Sequence, residues 1–379
     1  MMTTTRILHG TEGWIRADED ALTNLYEAHG GAAPADLPGL LDWARAKDAP
    51  LVTIAIESST AAPSPGARVF DAAVLLTHRR VAGISTVRLA GHGWADQQVV
   101  CTRTHHAATQ LAAAVVIWLG GLGRWRLDLE QLPDSDPFVD ALGALCPSDR
   151  LESGDPLPYL TWAATRTATN WAPKKFRQQS RQAQRRLTQE CGEPSILTLD
   201  TTDEVLDHLG GYHEVFDARE RELGRPSAIR DPAIAATKEA VLRRLGDQHL
   251  LQAWELRVGT ELIAYYITLQ VGSTRRMWDG RMTPGLAHVS PGTILMAHVL
   301  QTWHGDPSIE RVDFMRGSNE FKKRLSAGEV GTQRLRAWST PGLAGAETAL
   351  TTADHHTRRV IRTARDRSPA LAGLIRRLR

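Results

Sequence analysis

Cysteine is scarce in this chain of 379 residues: there are three, Cys101, Cys146 and Cys191, all far apart. That spacing gives neither a disulfide framework nor a metal knuckle, and it suits a reducing compartment. Long apolar runs are also missing. The run Ala112–Leu122 falls well short of the roughly 18 residues a membrane span needs. The opening MMTTTRILHG lacks the apolar centre of a signal peptide. These absences predict a cytoplasmic protein with no membrane span. Metal patterns of the HExxH or CxxC kind are absent as well. The pairs His105-His106 and His355-His356 are adjacent, so both members cannot face one ion from a regular element. A metal site is therefore not expected. No GxSxG elbow occurs and Cys191 has no marked partner, which argues against a covalent nucleophile.

What is present is the composition of a soluble globular protein, 42% apolar and 23% charged. The length exceeds one ordinary core, so two domains are expected, at 1–165 and 166–345, followed by a tail at 346–379. Charge is unevenly spread. Residues 351–379 carry eight arginines against Asp354 and Asp366, so a net charge of +2 divides into +6 in the tail and −4 elsewhere. The tail reads as a basic helix from Ala344 to Arg367, interrupted by Pro369.

In the first domain, helical spacing marks 18–28, 39–46, 107–119 and 136–145. Apolar runs mark strands at 51–57, 69–76, 81–89, 99–102 and 125–129. The segment Leu151–Thr161 contains prolines and reads as a linker. Next comes KKFRQQSRQAQRRL, Lys174–Leu187, with six basic residues and no acid. Phe176, Ala183 and Leu187 share one face of that helix, and the opposite face reads equally as solvated surface or as a track for phosphates. A strand at 196–200, a charge-dense helix at 205–223 and a helix at 231–245 follow. Leu251–Arg257, Leu262–Val271 and Arg275–Gly280 then form an antiparallel meander, its first turn at Gly259-Thr260-Glu261. Ser290-Pro291-Gly292-Thr293 opens a helix, with Ser as N-cap and Pro at the first position. Arg311–Met315 is a short strand and Asn319–Leu325 a basic helix start. The bare N–H groups of a helix N-terminus suit an anionic donor group.

Four short motifs carry a resemblance: Trp278-Asp279-Gly280, Ser290-Pro291-Gly292-Thr293, Asp313-Phe314-Met315-Arg316-Gly317 and Phe321-Lys322-Lys323. In this order and spacing they resemble the C-terminal half of a GNAT-superfamily acyltransferase, of the CelD-like tandem-domain subgroup related to the Fem peptidyltransferases. The fold implied is α/β (α+β): two tandem GNAT-like domains, each a mixed, mostly antiparallel sheet flanked by helices, plus the basic tail. The resemblance implies a degenerate first domain that shapes the acceptor side without chemistry, and a catalytic second domain.

The activity so implied is direct acyl transfer from a thioester, acyl-CoA, to an amine of a small-molecule or cell-wall-like acceptor. No tightly bound cofactor is expected. A backbone N–H of the strand Leu262–Val271 would polarise the carbonyl. Asp279 would orient the amine or accept its proton, and Arg316 would bind a phosphate or carboxylate. Glu320, Lys322 and Lys323 would line the same mouth. Ser290, Gly292, Thr293 and Lys323 would hold the donor. Of the glycine loop that CoA-binding members carry, only Gly292 remains, so the alternative donor is aminoacyl-tRNA. It would be met by Lys174, Lys175, Arg177 and Arg181 and by Arg358, Arg359 and Arg362 of the tail. Tyr265 and Tyr266 must point to opposite faces of their strand and read mainly as core. A non-catalytic scaffold of the same fold is the reading from another class.

Overall fold

The computed structural model describes residues 4–29, 36–59, 67–162 and 166–349. The tail arginines Arg358, Arg359 and Arg362 lie outside these residues. The first domain opens with β1 (Thr4–His9), α1 (Arg16–His29), α2 (Leu37–Ala46), β2 (Leu51–Glu57), β3 (Phe70–Val81) and β4 (Ile84–Leu89). It continues with β5 (Cys101–Thr102), α3 (His105–Gly120), β6 (Trp125–Pro133), α4 (Pro137–Leu145) and β7 (Ser148–Ser153).

The second part begins with β8 (Leu157–Thr161), α5 (Lys174–Cys191), β9 (Pro194–Leu199), α6 (Thr202–Asp207), α7 (Leu209–Glu222) and α8 (Pro232–Asp247). The meander β10 (Leu251–Val258), β11 (Glu261–Val271) and β12 (Thr274–Met282) follows, then α9 (Pro291–Gly305) and β13 (Arg311–Asp313). The last elements are α10 (Glu320–Lys323), β14 (Gly328–Val330) and β15 (Thr332–Trp338), after which residues 341–349 are helical.

Two sheets flanked by helices result, as tandem GNAT-like domains require. The first runs β1-β2-β3-β4-β6-β15-β7, with β5 paired beside β3, and the second runs β9-β10-β11-β12-β13-β8-β14. Position by position these orders correspond. Each has one parallel pair, β4 with β6 and β12 with β13, bridged by α3 and α9 respectively. In the sixth place the sheets exchange strands: β8, ahead of α5, completes the second sheet, and β15, after β14, completes the first. Two strands thus cross the 165/166 boundary expected from the sequence. The segment Leu151–Thr161, expected as a linker, forms the end of β7 and all of β8. Its prolines fit because Pro156 lies between strands and Pro158 pairs on the short β14 side.

Helix starts follow the local chemistry. Asp36 caps α2, Thr104 caps α3, Asp136 caps α4 and Asp231 caps α8, each accepting a hydrogen bond from a first-turn N–H. The helix expected over 205–223 is two helices, α6 with a Thr201/Glu204 capping box and α7, with His208 at the joint. In the second sheet, side chains alternate between two cores. Tyr265, Ile267 and Leu269 pack against α6, α7 and α8, whereas Ala264 and Tyr266 face the core made with α5 and α9. Phe176, Ala183 and Leu187 bury the expected face of α5 in that second core.

Polar contacts hold the two parts together. Arg244 of α8 grips Asp36 at 2.8 and 3.1 Å, and Lys47 meets Asp231 at 2.9 Å. At the exchange point Gln131 is buried, and its side chain bonds the backbones of Asp96 and Asp155 and the hydroxyl of Thr332. Among the described residues no helix is long and apolar enough to cross a membrane, and no group of His, Cys, Asp and Glu is placed to hold a metal ion.

Candidate active site

The site is organised by β12. On one side β12 pairs antiparallel with β11, but the register jumps between Ile267 and Thr268, so Trp278 faces no partner in that ladder. On the other side β13 pairs only with Thr274–Arg276. From Met277 onward no strand among the described residues covers that edge. A bulge bends its strand and re-aims a side chain, and here it coincides with the point where two parallel strands part. The strand Leu262–Val271, expected to offer an exposed N–H, lies within β11, which is paired on both sides by β10 and β12. The open edge belongs to β12 instead.

Beside the bulge lies a pocket of about 430 Å³ between the two domains. The second domain contributes Phe216 from α7, Ile234 and Lys238 from α8, and Trp278, Asp279 and Arg281 from β12. The first contributes Trp43 from α2 and the loop that bears His92, Trp94 and Asp96. At the seam Trp94 and Trp278 meet edge to face, 6.0 Å between centroids.

The polar wall is an ion-paired network. Asp279 receives the Lys238 ammonium, the Tyr265 hydroxyl at 3.2 Å and Arg281 Nη1 at 3.4 Å. Burial alone would raise its pKa, but Lys238 and Arg281 overcome this and hold the carboxyl below its usual range. Asp279 is therefore an ionised, saturated carboxylate and a poor proton acceptor. Arg281 also bonds Glu220 through Nε at 3.2 Å, and its guanidinium carbon lies 4.3 Å from the Phe216 ring centroid.

Asp96 differs. It is half-buried, it lines the pocket, and burial pushes its carboxyl up to about 6 although Lys322 and Arg316 pull it down. A carboxylate of that pKa is ionised at neutral pH and still basic enough to take a proton. Local sequence did not mark it: Asp96-Gln97-Gln98 before an apolar run reads as an ordinary turn. Its place depends on the first domain docking onto the second, and on Gln131 Nε2 holding the Asp96 carbonyl at 3.1 Å.

The residues singled out from sequence are distributed over several places. Asp279 lines the pocket. Arg316 bridges the domains, meeting Asp155 at 2.8 Å and Glu130 at 3.5 Å, so its guanidinium is committed to protein carboxylates. Lys322 donates to the carbonyls of Met315 at 3.1 Å and Arg316 at 2.8 Å, and fixes the turn after β13. Burial lowers its pKa, with Asp96 and Asp313 opposing. Glu320 and Lys323 are exposed on the short α10, 4.0 Å apart.

Ser290, Gly292 and Thr293 stand at the start of α9. Ser290 does not cap the helix as expected. It adopts a left-handed conformation with φ 54°, and its hydroxyl donates back to Ala287. The first turn of α9 consequently has no side-chain cap, in contrast to α3, which Thr104 closes. Tyr266 donates its hydroxyl to the Gly292 carbonyl at 3.2 Å and anchors this start to the sheet. On α5, Lys174, Lys175 and Arg181 are exposed, while Arg177 is half-buried and bonds the Ala172 carbonyl at 3.1 Å.

Residues 174–323 match the family model described as Acetyltransferase (GNAT) domain. The matched GNAT-type domain starts at the first residue of α5 and ends at the last of α10, and so takes in β12, α9 and both sides of the strand opening. Solved structures share the whole architecture. FemX aligns with a TM-score of 0.55 at 9% identity, over 88% of this chain and 97% of its own. L-PGS from Bacillus licheniformis gives 0.52 at 13% identity, over 89% and 96%. A conserved protein of unknown function from Bacteroides thetaiotaomicron gives 0.52 at 10%, over 86% and 97%. At these identities the likeness is one of fold. No curated protein matches the chain.

Proposed function

We propose that the protein is an N-acyltransferase that moves an acyl group from a thioester donor, acyl-CoA, to the amine of a small acceptor by direct attack. The observation that carries this reading is the parting of β12 from β13 after three residue pairs, beside a bulge and an interdomain pocket. The anionic part of the donor sits at the uncapped start of α9, where first-turn N–H groups and the helix dipole favour negative charge. Its acyl group passes along the open edge of β12. A backbone N–H within Met277–Asp279 that points away from β11 polarises the carbonyl there, a stabilisation that rises as the oxyanion develops.

The acceptor amine enters from the interdomain pocket. A C–N bond forms, the tetrahedral intermediate collapses, the C–S bond breaks, and the thiolate leaves to be protonated by solvent. Asp96 takes the amine proton. Asp279 stays ionised and positions Lys238 and Arg281. The first domain thus supplies a reacting side chain as well as a wall.

One observation favours a second donor. The exposed Lys174, Lys175 and Arg181 on α5 form a basic strip that would suit aminoacyl-tRNA, the donor implied by the Fem-like resemblance. The ester C–O bond would then break instead. Titration of the purified protein with CoA and with bulk tRNA, each at two salt concentrations, separates the two. Saturable CoA binding that Gly292→Trp abolishes supports the thioester. Micromolar tRNA binding with a steep salt slope, flattened by K174Q/K175Q/R181Q, assigns the tRNA donor. If neither ligand binds, both donor assignments fall.

A further inference from the structure

The interdomain pocket is lined by charges of both signs and by apolar side chains. From the first domain comes Asp96, which lines the pocket while Lys322, Arg316 and Arg276 act on its charge from the second domain. From the second domain come Lys238 and Arg281, whose bonds to Asp279, Glu220 and Gly280 leave donors over. Lys238 spends one of its three N–H groups on Asp279. Arg281 uses Nε and Nη1 in those bonds and Nη2 in none of them. Trp43, Trp94 and Trp278 with Ile229 and Ile234 line the same pocket, as does Lys47, which is spent on Asp231 at 2.9 Å. A volume of about 430 Å³ is that of a small-molecule site.

A ligand carrying charge of one sign only would leave the charge of one domain facing an apolar group, with the desolvation cost that entails. A zwitterion satisfies both. We infer that the acceptor is an apolar or aromatic amino acid, its ammonium directed to Asp96 and its carboxylate to Arg281 and Lys238. The inference rests on the acyl-transfer reading for the word acceptor, but the binding claim stands by itself. Asp96 would take the first proton of the bound ammonium and pass it to solvent, giving the attacking amine, and would then take the second as the amide forms, so the group that recognises the substrate also activates it.

The three tryptophans of the pocket give a direct readout. Their fluorescence, excited above the absorption of phenylalanine, is followed on titration with L-phenylalanine, with phenethylamine, which lacks the carboxylate, and with 3-phenylpropionate, which lacks the amine. L-Phenylalanine is expected to saturate, and each truncated probe to bind at least ten-fold more weakly. Arg281→Gln is expected to weaken L-phenylalanine and 3-phenylpropionate and leave phenethylamine unchanged. Asp96→Asn is expected to weaken L-phenylalanine and phenethylamine and spare 3-phenylpropionate. A misfolded variant would lose every probe alike, so the crossed pattern reports recognition.

Phenethylamine binding as tightly as L-phenylalanine, or no probe binding to the wild-type protein, overturns the inference. The crossed pattern without acyl transfer from any donor supports the pocket's ligand and removes the reaction. Transfer onto a simple diamine with no probe bound does the reverse.

Discussion

Tyr265 and Tyr266 are neighbours on β11 whose hydroxyls serve opposite faces of the sheet: Tyr265 donates to Asp279 in the interdomain pocket, and Tyr266 donates to the Gly292 carbonyl at the start of α9. Two consecutive residues thereby tie the proposed acceptor side and the proposed donor side to one central strand. Neither is free to act as an acid. Burial raises both above the ordinary phenol range.

The donor side tests the packing of Tyr266 on Gly280. A Cβ at position 280 would come within 2.2 Å of the Tyr266 ring. Gly280→Val should destabilise the protein by about 1–3 kcal/mol through overpacking, seen as a lower urea midpoint. Tyr266→Phe keeps the ring and loses one hydrogen bond, for about 0.5–1.5 kcal/mol. If donor binding depends on the anchored helix start, Tyr266→Phe weakens CoA more than it lowers stability.

The Lys238–Asp279 pair is nearly buried. Removing one partner leaves the other charge uncompensated, so Asp279→Asn or Lys238→Met should each cost about 3–5 kcal/mol. The double change should cost less than the sum of the two. Because the folded pKa of Asp279 is depressed, its contribution is fully present above the unfolded carboxyl value of about 3.9 and fades as pH falls through the folded one. Acid unfolding of wild type and Asp279→Asn should therefore converge only at strongly acidic pH.

Asp96 carries the opposite sign. Its folded pKa of about 6 lies above the ordinary carboxyl value of 3.8, so the fold favours the protonated form. Stability is greatest below the unfolded value and falls as pH rises from there to about 6. Asp96→Asn should accordingly stabilise the protein at pH 7, by at most about 3 kcal/mol at roughly 1.4 kcal/mol per pKa unit. The same change should lower the transfer rate by about 10²–10⁴-fold. The wild-type kcat/KM should rise with pH through about 6, and that limb should vanish in the variant. A variant both less stable and fully active would exclude Asp96 as the base.

Gln131 offers a separate test of how Asp96 is held. Gln131→Leu removes the bonds to the Asp96 carbonyl and the Asp155 N–H, while Thr332 keeps the Asp155 carbonyl at 2.9 Å, and should cost about 2–3 kcal/mol or more through unsatisfied buried groups. If it acts through Asp96, the rate at saturating acceptor and the limb of the pH profile near 6 both shift. A purely structural role would move the urea midpoint alone.

Much of the framework was written locally. The meander, the turn at Gly259, the buried face of α5 and the strands β2 and β10 follow from periodicity and turn residues, signals that span a few positions. The motifs around Asp279 and Gly292 lie where the strand opens and where the helix starts.

What the sequence could not determine depends on partners distant along the chain. Arg316 and Lys322 look available by residue type, yet Asp155, Glu130 and two carbonyls claim them. Ser290 has the residue type of a cap, yet its backbone turns it away. β8 and β15 each complete the sheet of the other repeat, because an edge left open by one repeat is filled by whichever strand the chain brings to it, and no local pattern encodes that pairing. The raised pKa of Asp96 is a property of burial between two domains. Sequence by itself determined the elements and the two-domain plan. Tertiary structure alone decided which charges are spent on the protein and which remain for a substrate, since charge pairing and burial are set by neighbours in space.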